Sequence, residues 1–266
     1  MSRIFAIVNQ KGGVGKTTTS VNLAASLASY GKRVLMVDMD AQGNATMGCG
    51  IDKRELELSV LDVLTGDAEF GEVLQRCESG KFDVLPANSD LTAAEVELLS
   101  VSGKESRMRY ALARVKANYD YVIIDCPPAL SMLTVNALVA SDGVIIPMQC
   151  EYYALEGLSA LMETIGQISK VLNPGLKVEG ILRTMYDPRN SLTNEVTAQL
   201  RKHFGDRVYR VSIPRNVRLA EAPSYGEPAI CYDKHSKGSL AYIGLAGEII
   251  RRHKTEHQAK TELVEA

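Results

Sequence analysis

Short apolar runs recur along the chain, and the clearest of them contain almost no polar residue: IFAIV (4–8), VLMVD (34–38), YVIID (121–125) and GVIIP (143–147). Strands of this kind are covered on both faces, as in parallel sheets flanked by helices. With three less regular runs included, the pattern predicts seven strands: Arg3–Asn9, Arg33–Asp38, Phe82–Pro86, Tyr121–Asp125, Gly143–Gln149, Lys177–Met185 and Arg207–Ile213.

Helical spacing follows these strands. Between Lys16 and Tyr30 apolar residues recur every three or four positions, and Gly31 provides a typical C-terminal cap. Residues 51–81 mix polar residues with short apolar patches, and we expect small surface helices there. The alternation of strands and helices predicts an α/β fold, a doubly wound and mostly parallel sheet with helices on both faces. We expect one domain, residues 1–254, and a flexible tail, residues 255–266.

Composition and charge narrow the class of protein. The chain has 266 residues, 45% of them hydrophobic, which is enough for one large core. Residues 1–176 contain 15 basic and 21 acidic side chains, whereas residues 177–260 contain 15 and 9. The basic final third favours an anionic partner, although ordinary scatter of surface charge explains it equally well. The sequence shows no basic leader, and no apolar run approaches the length of ~18 residues that a membrane span needs. We therefore expect a cytoplasmic protein.

The stretch NQKGGVGKTT (9–18) lies between the first predicted strand and its helix. In this context successive backbone N–H groups form an anion-binding nest at a helix N-terminus. The predicted phosphate-binding residues are Gly12, Gly13, Val14, Gly15, Lys16, Thr17 and Thr18. We expect Lys16 to reach the β- and γ-phosphates and the Thr17 hydroxyl to ligate Mg²⁺. Two features depart from the usual G-x-x-x-x-G-K-[ST] spacing: Gln10 replaces the first glycine, and Lys11 adds a positive charge.

Acidic residues close two of the predicted strands near this loop. Asp125 ends YVIID, and we expect it to hold Mg²⁺ through water at the carboxyl edge of the sheet. Asp38 and Asp40 end VLMVDMD, where they are candidates for the metal shell or for the attacking water. The alternative for each carboxylate is a helix or turn cap.

Several blocks of the chain resemble the ParA/Soj partitioning ATPases, in family order and at family spacing. They are KGGVGKTT, VDMDAQGNAT, DCPP, CEYYALEGL, TMYDPRN and IPRNVRLAEAPSYG. The resemblance covers residues 3 to about 253. It implies a deviant P-loop NTPase, a slow ATPase with ATP and Mg²⁺ as cofactors, associated with the nucleoid. The sequence leaves a chromosomal or a plasmid cargo open.

The resemblance also implies roles for individual residues. Two ATP-bound subunits meet face to face, and Lys11 of each crosses to the phosphates of the other, with Gly12 under the same interface. Asp40 orients the hydrolytic water, so the implied catalytic residues are Lys11, Lys16 and Asp40 and the implied metal residues are Thr17, Asp40 and Asp125. Adenine contacts are predicted in the segments Thr184–Met185 and Ile213–Pro214, at Met185 and Pro214, and the alternative for these apolar residues is packing in the core.

The implied partners are double-stranded DNA, bound without sequence preference, and a ParB-type protein that stimulates hydrolysis. The candidate DNA-binding residues are Arg189, Arg215 and Arg218, for which surface ion pairs are the alternative.

Three other classes share this loop. A MinD-like cell-division ATPase needs an amphipathic C-terminal helix that binds membrane. The spacing of apolar residues here favours instead a terminal helix that packs on the rest of the domain through Tyr242, Leu245 and Ile249. A reductase similar to the nitrogenase iron protein needs paired cluster-ligating cysteines, and only Cys126 is suitably placed. A metabolic ATP-dependent ligase would carry substrate-site residues that we do not find.

Overall fold

The computed structural model describes residues 2–265, with side chains except at positions 95, 99, 256, 257 and 259–265. Its strands are β1 (Arg3–Ile7), β2 (Val34–Asp38), β3 (Gln75–Cys77), β4 (Phe82–Leu85), β5 (Tyr121–Asp125), β6 (Gly143–Gln149), β7 (Lys177–Tyr186) and β8 (Val208–Pro214). They form one sheet in the order β3-β4-β2-β5-β1-β6-β7-β8. Every neighbouring pair is parallel except β3 and β4. The seven predicted strands are all present, with ends shifted by at most two residues.

Helices connect the strands. Within the described range they are α1 (Lys16–Ser29), α2 (Asn44–Met47), α3 (Val60–Thr65), α4 (Phe70–Val73), α5 (Ala94–Glu97), α6 (Arg107–Val115), α7 (Met132–Ala140), α8 (Ala154–Val171), α9 (Ser191–Phe204), α10 (Val217–Glu221), α11 (Ala229–Tyr232) and α12 (Lys237–Glu265). Short 3-10 turns occupy Ser89–Ala93, Leu98–Ser100, Lys104–Ser106, Lys116–Asn118, Gly205–Arg207 and Ala222–Tyr225.

Both faces of the sheet are buried. Successive residues of β2 alternate between two hydrophobic clusters: Met36 belongs to the cluster that contains residues of α1 and α12. Val37 belongs to the cluster on the other face, which contains residues of α7, α8 and α9. The doubly wound, mostly parallel α/β fold predicted from the sequence is therefore confirmed.

The region 51–81 differs from the prediction in two ways. It forms the short helices α3 and α4, but their apolar residues, among them Val60 and Phe70, are buried in the main core. It also contains the antiparallel edge strand β3, which the sequence pattern does not predict. Two of its three side chains are exposed, so no apolar run marks it.

The order of the strands creates a crevice at one edge of the sheet. β1 lies between β5 and β6, so the chain winds outward from β1 in both directions. Ligands bind at such a reversal, outside the carboxyl ends of the strands. Asp125 pairs in register with Ile7 on one side and with Asp38 on the other. The ends of β1, β2 and β5 therefore lie at one level.

The last helix packs against the sheet. Tyr242, Leu245 and Ile249 are at most 1% exposed, as the sequence predicts for a helix bound to the body. α12 continues through position 254 to Glu265, so the division of the chain at that position stays a prediction. No helix among the described residues is both long and apolar enough to cross a membrane.

A buried polar network joins α12 to the amino-terminal side of the sheet. The two ring nitrogens of His253 contact the Tyr121 hydroxyl at 3.2 Å and the Glu179 carboxylate at 3.1 Å. Burial by itself raises the pKa of Glu179, but the hydrogen bond and the charge of His253 outweigh it, and the pKa lies below its ordinary value. The ionised form of Glu179 is therefore stabilised by folding.

Replacing His253 by alanine should lower the free energy of unfolding by about 2–4 kcal/mol at pH 7, because Glu179 stays buried without its partner. The pKa of Glu179 is lowered, so its contribution is present above the unfolded-state value and is lost as the pH falls through the folded-state value. Urea denaturation should show that the difference in free energy of unfolding between the variant and wild type becomes smaller as the pH is lowered. The exposed His203→Ala is the control; a difference that is equal for both variants would contradict this account.

Candidate functional site

Residues 8–15 form a tight loop between β1 and α1. Gly13 and Gly15 have φ angles of +73° and +88°, in the left-handed region that favours glycine. Val14 is buried between them, and its carbonyl accepts a hydrogen bond from the Thr184 hydroxyl at 2.8 Å. β7 therefore holds the loop in place through Thr184. The sequence places Thr184 in a predicted adenine segment but does not predict its contact with Val14.

Lys16 lies inside the loop. It is 8% exposed, and its ammonium group donates a hydrogen bond to the Lys11 carbonyl at 3.3 Å. Burial lowers the pKa of Lys16, and the negative charge of Asp125 partly offsets this. A phosphate group in the loop would supply the counter-charge that this ammonium group lacks, as the predicted role requires.

The Asp125 carboxylate lies directly beneath the first turn of α1. It accepts hydrogen bonds from the Thr17 hydroxyl at 2.8 Å and from the Ser20 hydroxyl at 2.7 Å. Burial, reinforced by the charge of Asp38, raises the pKa of Asp125 to about 7. The structure thus brings together Thr17 and Asp125, two predicted metal-site residues, and adds Ser20, which its position one helical turn after Thr17 could have identified.

Asp38 has a different role from the one the strand-end pattern suggests. Its carboxylate accepts hydrogen bonds from the Thr46 backbone at 2.9 Å, the Thr46 hydroxyl at 2.8 Å and the Asp40 backbone at 3.1 Å. Burial raises the pKa of Asp38 to about 6. Asp38 therefore anchors the loop of residues 40–46 to the sheet, and its oxygens are used within the protein.

Asp40 is half-buried on that loop and caps a turn. Its carboxylate accepts a hydrogen bond from the Gln42 backbone at 3.0 Å, and its carbonyl accepts one from the Gly43 backbone at 2.8 Å. Its charge acts on Lys16, so it lies in the same electrostatic neighbourhood. Its predicted roles in the metal shell and in orienting water stay predictions.

The side chain of Lys11 contacts a residue that follows β6. Its ammonium group forms an ion pair with Glu151, and both side chains are about half exposed. The neighbouring Gly12 is exposed, and nothing lies within 4 Å of a Cβ built on it. Packing within this chain therefore does not require glycine at position 12.

The predicted adenine residues lie at neighbouring strand ends. Met185 is near the end of β7, Pro214 ends β8, and both are partly exposed. Met185 has a φ of +48°, which is uncommon for a residue with a side chain, and its sulfur contacts the Gln149 amide. A contact between either residue and adenine stays a prediction.

The three candidate DNA-binding arginines follow the carboxyl ends of β7 and β8 and are exposed. Arg189 pairs with Asp187 at 2.8 Å, and Arg218 pairs with Glu221 at 2.8 Å and with Asp233 at 3.3 Å. Arg215 forms no ion pair with the described side chains. The alternative of surface ion pairs thus describes Arg189 and Arg218 in this structure, and their binding to DNA stays a prediction.

The residues of the loop fit a magnesium ion bound together with a phosphate. Hydroxyl and carboxylate oxygens are the ligands that Mg²⁺ prefers, and it usually binds through few protein groups together with water and phosphate oxygens. Among the side chains that the structure describes, no group of three or more His, Cys, Asp or Glu is arranged to hold a metal by itself. The raised pKa of Asp125 reflects a buried negative charge that a cation would compensate.

These features define a P-loop nucleoside triphosphatase. They are a strand, a glycine-containing loop, a buried lysine, and a helix whose Thr17 lies over an aspartate at the end of a strand. The model of a family described as an AAA domain matches residues 2–178. The chain is 54% identical to the sporulation initiation inhibitor Soj of Bacillus subtilis over 249 residues, covering 94% of this chain and 98% of Soj. It is 49% identical to the chromosome partitioning protein ParA of Caulobacter vibrioides, covering 97% of each. The chain belongs to the ParA/Soj family of partitioning ATPases.

Solved structures with other names share the fold. A cobyrinic acid a,c-diamide synthase from Mycobacterium smegmatis, crystallised with ADP and magnesium, superposes with a TM-score of 0.85 at 39% identity, covering 96% of this chain and 97% of the synthase. The cell-division ATPase MinD of Pyrococcus furiosus superposes with a TM-score of 0.78 at 26% identity, covering 94% and 99%.

Replacing Asp125 by asparagine should stabilise the nucleotide-free protein. The pKa of Asp125 is raised to about 7, so folding favours its neutral carboxyl group. The stability that this preference contributes is complete below the unfolded-state pKa and is lost as the pH rises through about 7. We expect the free energy of unfolding of the variant to exceed that of wild type by roughly 1–3 kcal/mol at pH 8 and by less at pH 5. We also expect that magnesium nucleotide no longer stabilises the variant. Urea denaturation measures both effects, with the exposed Asp206→Asn as control; a variant less stable than wild type at pH 8 would contradict the prediction.

Proposed function

We propose that this ATPase segregates DNA by means of an ATP-dependent dimer. Magnesium and ATP bind the phosphate loop, two loaded subunits meet face to face, and the dimer holds double-stranded DNA without sequence preference until hydrolysis releases it. The relatives named Soj and ParA support this role. The observation that supports it is the contact of Lys11, a lysine on the phosphate loop whose side chain is half exposed and pairs with Glu151.

The contacts of Lys11 favour a role across an interface. A triphosphate needs more positive charge than Lys16 supplies, and a lysine on a long side chain is suited to reach it from a second subunit. The ion pair with Glu151 is exposed, and such pairs contribute only about 0–1 kcal/mol, so a phosphate displaces it at small cost. The open space beside Gly12 leaves room for the approach of another chain.

Within each subunit the buried residues hold the reactants. Lys16 binds the β- and γ-phosphates, and Thr17 and Asp125 bind the metal, directly or through water. When bound, Mg²⁺ would neutralise charge on the phosphate oxygens. Asp40 positions the attacking water within the closed dimer, and its role does not require it to remove the proton of that water. Turnover is therefore slow until a ParB-type partner stimulates it.

DNA binds through the arginines that follow β7 and β8. Each arginine that contacts a phosphate releases counterions, and a two-fold dimer doubles a modest set of contacts. The ion pairs of Arg189 and Arg218 are exposed and exchange readily for DNA phosphates. The protein acts in the cytoplasm, in association with the nucleoid.

The experiment that tests this function measures size and DNA binding in three states. Sedimentation with a non-hydrolysable ATP analogue and magnesium, with ADP, and without nucleotide should give a dimer only with the analogue. The same three samples should retard duplex DNA only in the dimeric state. A monomer that ignores DNA in all three states would exclude the proposal, and ATP-dependent binding to anionic vesicles in place of DNA would favour the MinD-like alternative.

Replacing Asp40 by alanine should stop hydrolysis and leave the ATP-dependent dimer intact or longer-lived, because the residue positions water and does not hold phosphate. Phosphate release and sedimentation with ATP measure the two effects. Lys16→Ala serves as the comparison, since it should abolish retention of ATP itself. An Asp40→Ala protein that turns over at the wild-type rate would remove Asp40 from the mechanism.

Replacing Arg189 by alanine should weaken DNA binding about three- to tenfold and reduce the salt slope by about one for each arginine lost, with dimerisation unchanged. Arg54→Ala is a matched control, because Arg54 pairs with Asp52 two residues before it, as Arg189 does with Asp187. DNA affinity over a salt series measures the effect, for Arg215→Ala and Arg218→Ala as well. Equal losses of DNA affinity in Arg54→Ala and Arg189→Ala would indicate a general effect of charge and would contradict a specific contact of Arg189 with DNA.

A further inference from the structure

Two segments that are distant in sequence touch behind the nucleotide site. The loop after β2, which contains Asp40, ends at Gly50, and the segment after β8, which contains Arg218, reaches Gly226. A Cβ built on Gly50 would lie 2.9 Å from the Gly226 carbonyl oxygen, and one built on Gly226 would lie 2.8 Å from the Gly50 Cα. The two backbones are therefore in direct contact, with no space for a side chain between them.

Asn22 makes a second connection between the same regions. It lies in α1 one turn after the phosphate loop and is 5% exposed. Its amide nitrogen donates a hydrogen bond to the Thr18 carbonyl at 2.8 Å, and its amide oxygen accepts one from the Ala229 backbone at 2.8 Å. One side chain thus links the first turn of the phosphate-binding helix to the start of α11.

Between these two contacts the segments are separated by a cleft of about 390 Å³, lined by Thr17 and Met47 on one side and by Pro223 on the other. Hydrophobic packing also joins the two segments, since Cys49 shares a buried cluster with Ala222 and Ala229. Beside the cleft, the Asn22 side chain and the contact between Gly50 and Gly226 link α1 and the loop after β2 to the segment after β8.

The segment beyond the cleft is held together as one unit. The Asn216 side chain caps α10 by accepting a hydrogen bond from the Leu219 backbone at 3.3 Å. Leu219, Ala222 and Ala229 are buried in one hydrophobic cluster, which joins α10, the turn after it and α11. A shift of Gly226 or Ala229 is therefore a shift of the whole segment that contains Arg218.

We propose that Asn22 is a positioning residue which, together with the contact between Gly50 and Gly226, couples the nucleotide state of the phosphate loop to the placement of Arg218 and the neighbouring Arg215. This inference rests on the proposed function and adds the route by which the two sites communicate. Such coupling is the ratio of DNA affinities in two nucleotide states, and it is distinct from either affinity alone.

The test measures that ratio for Asn22→Ala. DNA affinity is determined with the non-hydrolysable ATP analogue and with ADP, and binding of the analogue is determined separately. We expect the ratio to fall at least about fivefold, since allosteric coupling typically spans about five- to 150-fold, while affinity for the analogue stays within about threefold of wild type. A residue that only stabilises the fold would not change this ratio.

Asn136→Ala is a closely matched control. Asn136 is also buried in a helix, donates to the carbonyl four residues earlier at 3.1 Å and accepts from the Met108 backbone at 3.1 Å, but on the opposite face of the sheet. The ratio should stay at the wild-type value in this variant. Equal ratios for Asn22→Ala, Asn136→Ala and wild type would overturn the inference and leave the proposed function standing.

Gly226→Ala provides a second, independent variant if Asn22→Ala does not fold. The added Cβ displaces Gly50, so the ratio should again fall while the analogue still binds. An unchanged ratio in folded Gly226→Ala would overturn the inference. A wild-type protein whose DNA binding does not depend on the nucleotide would overturn the proposed function as well.

Discussion

The structure depends on two carboxylates buried side by side at the ends of neighbouring strands. Asp38 and Asp125 pair in register and are fully buried, so their negative charges are costly unless other groups compensate them. Thr46 and the Asp40 backbone compensate Asp38, whereas Thr17 and Ser20 compensate Asp125. The raised pKa of Asp125 indicates that these donors are insufficient, and a cation bound with phosphate would compensate the remaining charge. A site that is costly when empty is stabilised when loaded.

The charged residues at and around the site fall into two groups, one buried and one exposed. The charges predicted to hold the ligand, on Lys16 and Asp125, lie inside the fold, where surrounding contacts fix them. The charges proposed to act on other molecules, on Lys11 and Arg189, lie outside, in exposed ion pairs that exchange at low cost. Nucleotide and DNA would thus be bound by separate groups, and the elements between these groups determine whether the two events are linked.

The sequence predicts the features that depend on local pattern. Continuous apolar runs identify the buried strands, and the spacing of Gly15, Lys16 and Thr17 identifies the phosphate loop. It does not predict β3, whose residues are mostly exposed, or the burial of α3 and α4, because these depend on what packs against them. Contacts across long sequence distances, such as Thr184 with Val14 or Lys11 with Glu151, leave no local pattern, and only the folded chain brings them together.

The central claim is that the triphosphate is shared between two subunits, and mixing two inactive variants tests it most directly. A Lys11→Ala subunit keeps its own Asp40 but cannot serve its partner, and an Asp40→Ala subunit keeps Lys11 but cannot hydrolyse its own ATP. Each should be inactive alone, whereas an equal mixture should recover roughly a quarter of the wild-type rate, because half of the two-fold dimers then contain one complete site. A mixture as inactive as its components would show that Lys11 does not act across the interface and would contradict the account.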